Sequence, residues 1–99
     1  MSAKILLDDV LIELRQKSSN LRCADVVGLL SSLGFDVREG KKGGHKVYTH
    51  QQLPDFISSS FNCGHGKNSQ IKAHYIKQIA RTIVMHKFAL EDYLVARGE

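Results

Sequence analysis

The chain has 99 residues, 42% hydrophobic, 24% charged and 7% aromatic, which fits one small domain over residues 1–99 and excludes a disordered or fibrous chain. No apolar run approaches the roughly 20 residues a membrane span needs, and Ile5-Leu6-Leu7 meets Asp8-Asp9 too soon for a signal-peptide core, so a cytoplasmic protein without a membrane partner is expected. The formal net charge of +4 is uneven: Arg38 to Lys87 carries nine Lys/Arg against two acids, while both flanks are slightly acidic, a distribution expected of a surface facing a polyanion such as nucleic acid.

In chain order, residues 4–17 place Leu7, Val10, Leu11 and Leu14 at helical spacing. Ser18-Ser19-Asn20 interrupts the pattern, with Asn20 a candidate N-cap for a second helix over about 21–33 that buries Val26, Val27, Leu30 and Leu33. Gly34 stops that helix, because a left-handed C-terminal cap costs glycine little. The period then changes to two in Phe35-Asp36-Val37-Arg38, the turn Gly40-Lys41-Lys42-Gly43-Gly44 follows, and His45-Lys46-Val47-Tyr48-Thr49 reads as the second strand of a hairpin. Pro54 sits in the next turn, and Phe56–Phe61 gives a weaker strand. After the loop Asn62-Cys63-Gly64-His65-Gly66-Lys67-Asn68, with Asn68 or Ser69 as cap, a third helix over about 70–85 turns Ile76, Ile79, Ala80 and Ile83 inward. Phe88, Leu90, Tyr93 and Leu94 mark a short last helix over about 88–97. The predicted architecture is α+β, a three-stranded antiparallel sheet with helices packed on one face.

Gly43-Gly44-His45-Lys46-Val47-Tyr48 is the densest candidate site. Glycines let the backbone approach a ligand closely, and His45 would stand at the sheet's end beside Lys41, Lys42 and Lys46. A histidine next to phosphate-binding lysines can move the 2′-hydroxyl proton of RNA or protonate a leaving 5′-oxygen; the alternative is a surface histidine at a hairpin end. The loop with His65 and Lys67 is a second candidate, since a glycine-containing loop feeding a helix start presents unpaired N–H groups to an anion; it lacks the Walker spacing. Cys63, His65 and His74 offer a metal reading, but zinc-finger spacing is absent and His45 and His50 fall on opposite strand faces, so no metal or cofactor is expected. Cys23 and Cys63 have no short-range pairing motif, which predicts unpaired thiols in a reducing compartment, with Cys23 a small core residue.

Leu33-Gly34-Phe35, then Gly43-Gly44-His45-Lys46-Val47-Tyr48, then His65-Gly66-Lys67 leading into a basic helix, resembles the HicA-type toxins of bacterial toxin–antitoxin pairs over roughly residues 21–84. The resemblance implies a double-stranded-RNA-binding-domain-like fold, mRNA interferase activity through His45, and neutralisation by a HicB-type antitoxin. Gly44 stands where that family usually has serine, Asn62-Cys63-Gly64-His65 replaces a proline-histidine pair, and helices are added before residue 20 and after 87. The expected function is metal-free mRNA cleavage leaving a 2′,3′-cyclic phosphate, with Lys41, Lys42, Gly44, Lys46, His65, Lys67 and Lys72 holding RNA phosphate and His65 or a lysine assisting the proton transfers. The rival readings are a non-catalytic RNA-binding module of the same fold and a protein-interaction domain whose basic face docks an acidic partner. The two terminal helices are expected to pack together, within one chain or across a homodimer.

Overall fold

The first leucine stripe folds as α1 (Ala3–Gln16), capped by the Ser2 hydroxyl, which accepts the Ile5 N–H at 3.2 Å, and it buries Ala3, Leu7, Val10, Leu11 and Leu14. The structure is a computed structural model and describes residues 2–64 and 66–99. After α1 come α2 (Cys23–Ser32), β1 (Asp36–Glu39), β2 (His45–Thr49), β3 (Ser59–Asn62), α3 (Ala73–Met85) and α4 (Lys87–Ala96). The strands form one antiparallel sheet in the order β1-β2-β3. This is the α+β arrangement read from the sequence, with every helix and strand near its expected place.

Three boundaries differ from expectation by two residues or more. Helix α2 begins at Cys23 rather than 21, and its cap is Arg22, not Asn20; the Arg22 N–H donates to the Asp25 carboxylate at 3.0 Å. Strand β3 starts at Ser59, three residues late, because Phe56 serves the core from a loop, with its ring 5.8 Å from Phe35 and 5.7 Å from Tyr48. Helix α3 begins at Ala73, after Lys72, so neither Asn68 nor Ser69 caps it. Residues 70–71 are instead drawn to the start of α2, where Gln70 bridges Arg22 and the Ile71 N–H donates to the Leu21 carbonyl at 2.9 Å. Gly34 does end α2 with a positive φ of 90°.

Register explains which side of the sheet is covered. Val37, Tyr48 and Ser59 stand in one row, and Glu39, Lys46 and Phe61 in another, on the same side by strand alternation. Tyr48 and Phe61 on that side are fully buried and join the apolar stripes of all four helices in one core. The opposite side carries Asp36, Arg38, His45, Val47, Thr49, Ser60 and Asn62, none of them buried. Helix α1 packs on both α3 and α4, and the Lys87 ammonium lies 3.5 Å from the Asp8 carboxylate. The terminal helices therefore meet within one chain, as expected. Among the described residues no helix is long and apolar enough to cross a membrane.

The expectation of unpaired thiols is overturned: Cys23 and Cys63 are joined by a disulfide across 40 positions of sequence. No short motif announces it because the fold alone brings the start of α2 beside the end of β3. The bond also removes the Cys63 thiolate from any metal set.

His50 is buried at 5% exposure. Its Nε2 lies 3.0 Å from the Leu33 carbonyl, and its Nδ1 accepts the Gln52 N–H at 3.1 Å, which fixes a neutral ring with the proton on Nε2. Burial pushes its pKa below the ordinary value. An unfolded chain takes up this proton near pH 6.5 and the folded chain only at lower pH, so between those values the unfolded state binds more protons. Stability is thus expected to fall as pH drops below about 6.5. Melting temperatures measured between neutral and mildly acidic pH check this; a His50→Gln variant should show a flatter decline, and an identical decline would remove His50 as the cause.

Candidate nucleic-acid interface

The β1–β2 connection is shaped around His45. The Gly40 N–H donates to the His45 carbonyl at 2.7 Å, and the His45 N–H to the Lys42 carbonyl at 3.1 Å. A Cβ on Gly40 would strike the His45 ring, so the imidazole lies directly over a bare α-carbon. The half-buried ring lines a depression with Gly40, Lys41, Lys42 and Val47. Among the described residues, no side chain hydrogen-bonds to it.

Gly44 joins this turn to the loop after β3. Its φ is 79°, and a Cβ there would strike the Gly64 carbonyl oxygen; only glycine meets both conditions without strain. The Cys63 N–H donates to the Gly44 carbonyl at 2.6 Å, and the Gly64 N–H to Asn62 Oδ1 at 2.6 Å. Asn62 is also the cross-strand partner of His45. From Asn62 and Gly64 a second depression continues to Gln70, Lys72 and Tyr75. Lys41, Lys42, Gly44 and His45 thus occupy one end of the sheet, and Lys72 lies along the adjoining hollow.

The other predicted residues are placed differently. Lys46 follows His45 but points to the opposite side of the sheet. Its ammonium is 2.9 Å from the Glu39 carboxylate, which it holds below the usual carboxylate range. Lys67 lies six positions before α3, so it does not stand at that helix's first turn. Its carbonyl accepts the Ala24 N–H at 2.9 Å, and the Ser69 carbonyl accepts the Cys23 N–H at 2.9 Å. The loop therefore satisfies the open N–H groups of α2 with its own carbonyls. His65 lies outside the described residues. Asn62, Gln70 and Tyr75 were not singled out from the sequence: a loop asparagine and a helix tyrosine carry no signal until register and packing bring them beside Lys72.

Comparison of the chain with protein-family models, with curated proteins and with solved structures finds no match.

Proposed function

We propose that the domain binds RNA along this end of the sheet and cleaves it through His45. The observation that carries the reading is the imidazole, unencumbered by any side-chain hydrogen bond among the described residues, in a depression whose charged lining residues, among those described, are Lys41 and Lys42. Neutral His45 takes the 2′-hydroxyl proton, the freed oxygen attacks the adjacent phosphorus, and the 5′-oxygen leaves with a proton from a second group, for which the depression offers the two lysines. The lysines bind phosphate and offset the charge that grows on its oxygens. The products are a 2′,3′-cyclic phosphate and a 5′-hydroxyl, and no metal takes part.

We propose further that the fold is double-stranded-RNA-binding-domain-like. Helix α2, the three strands and α3 follow one another in the order of a double-stranded-RNA-binding-domain-like fold, and mRNA is then the substrate of a HicA-like toxin. A HicB-type antitoxin would neutralise it by covering the His45 face. One feature favours a second reading, the non-catalytic RNA-binding module: no side chain among the described residues hydrogen-bonds to the His45 ring to hold it in place, as a partner commonly holds a catalytic base.

The test is incubation of purified protein with RNA. His45→Ala should lose cleavage and keep RNA affinity within about threefold, because the imidazole acts on the proton and the lysines supply the phosphate contacts. Neutralising Lys42 should weaken binding and flatten the dependence of log affinity on log salt by roughly 0.7 to 0.9 per lost contact. Salt-sensitive binding without cleavage by the wild type would select the binding module. Cleavage that persists in His45→Ala would remove this residue from the mechanism.

A further inference from the structure

We infer that the chain associates with a second copy of itself, the outer face of α4 seating in a groove between α1 and α3. No residue of the groove or of α4 lines the His45 depression, and the inference does not depend on the RNA reading.

The groove, of ≈ 350 Å³, has a floor of Leu14, Ala80 and Val84 and a rim carrying Arg15, Lys77 and Arg81. Every charged residue that lines it is a cation, and none of the three has an ion-pair partner among the described residues. Val84 remains 44% exposed. An apolar floor ringed by unpaired cations suits an amphipathic element with acids beside its apolar residues.

Helix α4 presents that pattern outward. Its inner stripe, Leu90 and Leu94, is fully buried, yet Phe88 is 84% and Val95 58% exposed. A helix that is apolar on two opposite sides has a second face to cover. Phe88 and Val95 are seven residues apart, so they lie on one line two turns long, and Glu91 and Asp92 flank that line, one on each side. Neither acid has an ion-pair partner among the described residues. Phe88 and Val95 match the apolar floor, and Glu91 and Asp92 match Arg15, Lys77 and Arg81. The stripe and the groove are thus complementary in both respects, and the chain carries one of each.

Size limits the strength of the contact. A stable interface buries about 800 Å² on each partner, more than one face of a ten-residue helix provides. Two reciprocal contacts, each copy's α4 in the other's groove, double the area and close the assembly on a two-fold axis. The expected species is a dimer that dissociates on dilution.

Sedimentation velocity of the full chain, from low micromolar to sub-millimolar concentration, tests this. The wild type should shift from the mass of one chain to that of two. Phe88→Glu should raise the dissociation constant by about tenfold or more, as should Arg81→Glu. A chain carrying both Arg81→Glu and Asp92→Lys should recover to within about threefold of the wild type, since the charge pair is restored with its sign reversed. All three residues are exposed, so the variants should melt close to the wild type. A wild type that stays monomeric throughout overturns the inference and leaves the groove to an acidic segment of another protein. Association unaffected by Phe88→Glu, or not recovered by the double reversal, overturns it as well.

Discussion

Deletion of residues 1–17 is expected to leave a chain with no cooperative unfolding transition. Leu7, Leu11 and Leu14 are at most 4% exposed, and Ala3 and Val10 lie beside them in the single core cluster. Burying a large aliphatic side chain contributes about 1.5–3 kcal/mol, so three leucines and a valine contribute roughly 6–12 kcal/mol. A whole domain is stable by only about 5–15 kcal/mol. The loss falls on both sides of the contact, because α1 packs on both α3 and α4 and its removal uncovers apolar surface on each. Circular dichroism should show residual helix without a sigmoidal melt. A truncated chain that still melts cooperatively would make α1 an accessory. Leu7→Ala or Leu14→Ala in the full chain should cost about 2–5 kcal/mol each, which separates the packing contribution from the effect of losing the segment.

By resemblance, residues 21–84 form a core and the terminal helices are additions. The structure joins them: Val26 and Leu30 of α2, Tyr48 and Phe61 of the sheet and the leucines of α1 belong to one cluster.

The helices were legible because their buried residues keep a strict period, and the hairpin because the glycine-rich turn at 40–44 separates two short runs of strand-like residues. Leu7, Val10, Leu11 and Leu14 mark α1, and Ile76, Ile79, Ala80 and Ile83 mark α3. Period fails where an apolar residue enters the core without belonging to an element. Phe56 extends the apparent third strand backward, yet it reaches Phe35 and Tyr48 from a loop. Ile71 falls inside the helix expected over 70–85, yet it precedes α3 and is buried where its backbone pairs with Leu21. The candidate site was legible in part for a similar reason. Turn glycines beside lysines and a histidine are local and visible, whereas the approach of Gly64 to Gly44 joins positions twenty residues apart and depends on the β2–β3 register. Lys46 shows the cost of reading neighbours as neighbours. One step along a strand turns its side chain to the other side of the sheet, to Glu39 and away from His45.

Replacing Cys23 and Cys63 by alanine is expected to cost about 4 kcal/mol and to lower Tm by roughly 15 °C or more. The disulfide closes a loop across 40 positions, and a cross-link of that span restricts the unfolded chain far more than the folded one, where the ends already meet. The folded ends are held by more than sulfur: the Cys23 N–H donates to Ser69, the Cys63 N–H to Gly44, and the Ile71 N–H to Leu21. The alanine variant should therefore fold to the same structure at low temperature and differ mainly in how easily it unfolds. Alanine is the informative substitution because both positions are buried, and a serine hydroxyl there would add its own desolvation cost. The single variants Cys23→Ala and Cys63→Ala should each lose nearly as much as the double, since either one removes the same cross-link. Native protein should also resist a dithiol reductant until it opens, with the sulfurs at residues that are 3% and 1% exposed. Denaturant melts of the three variants, with thiol alkylation counted by mass in native and unfolded protein, supply both readouts. Singles that sum to the double, or two thiols alkylated at once in the native protein, would show that the bond does not hold the folded chain in solution.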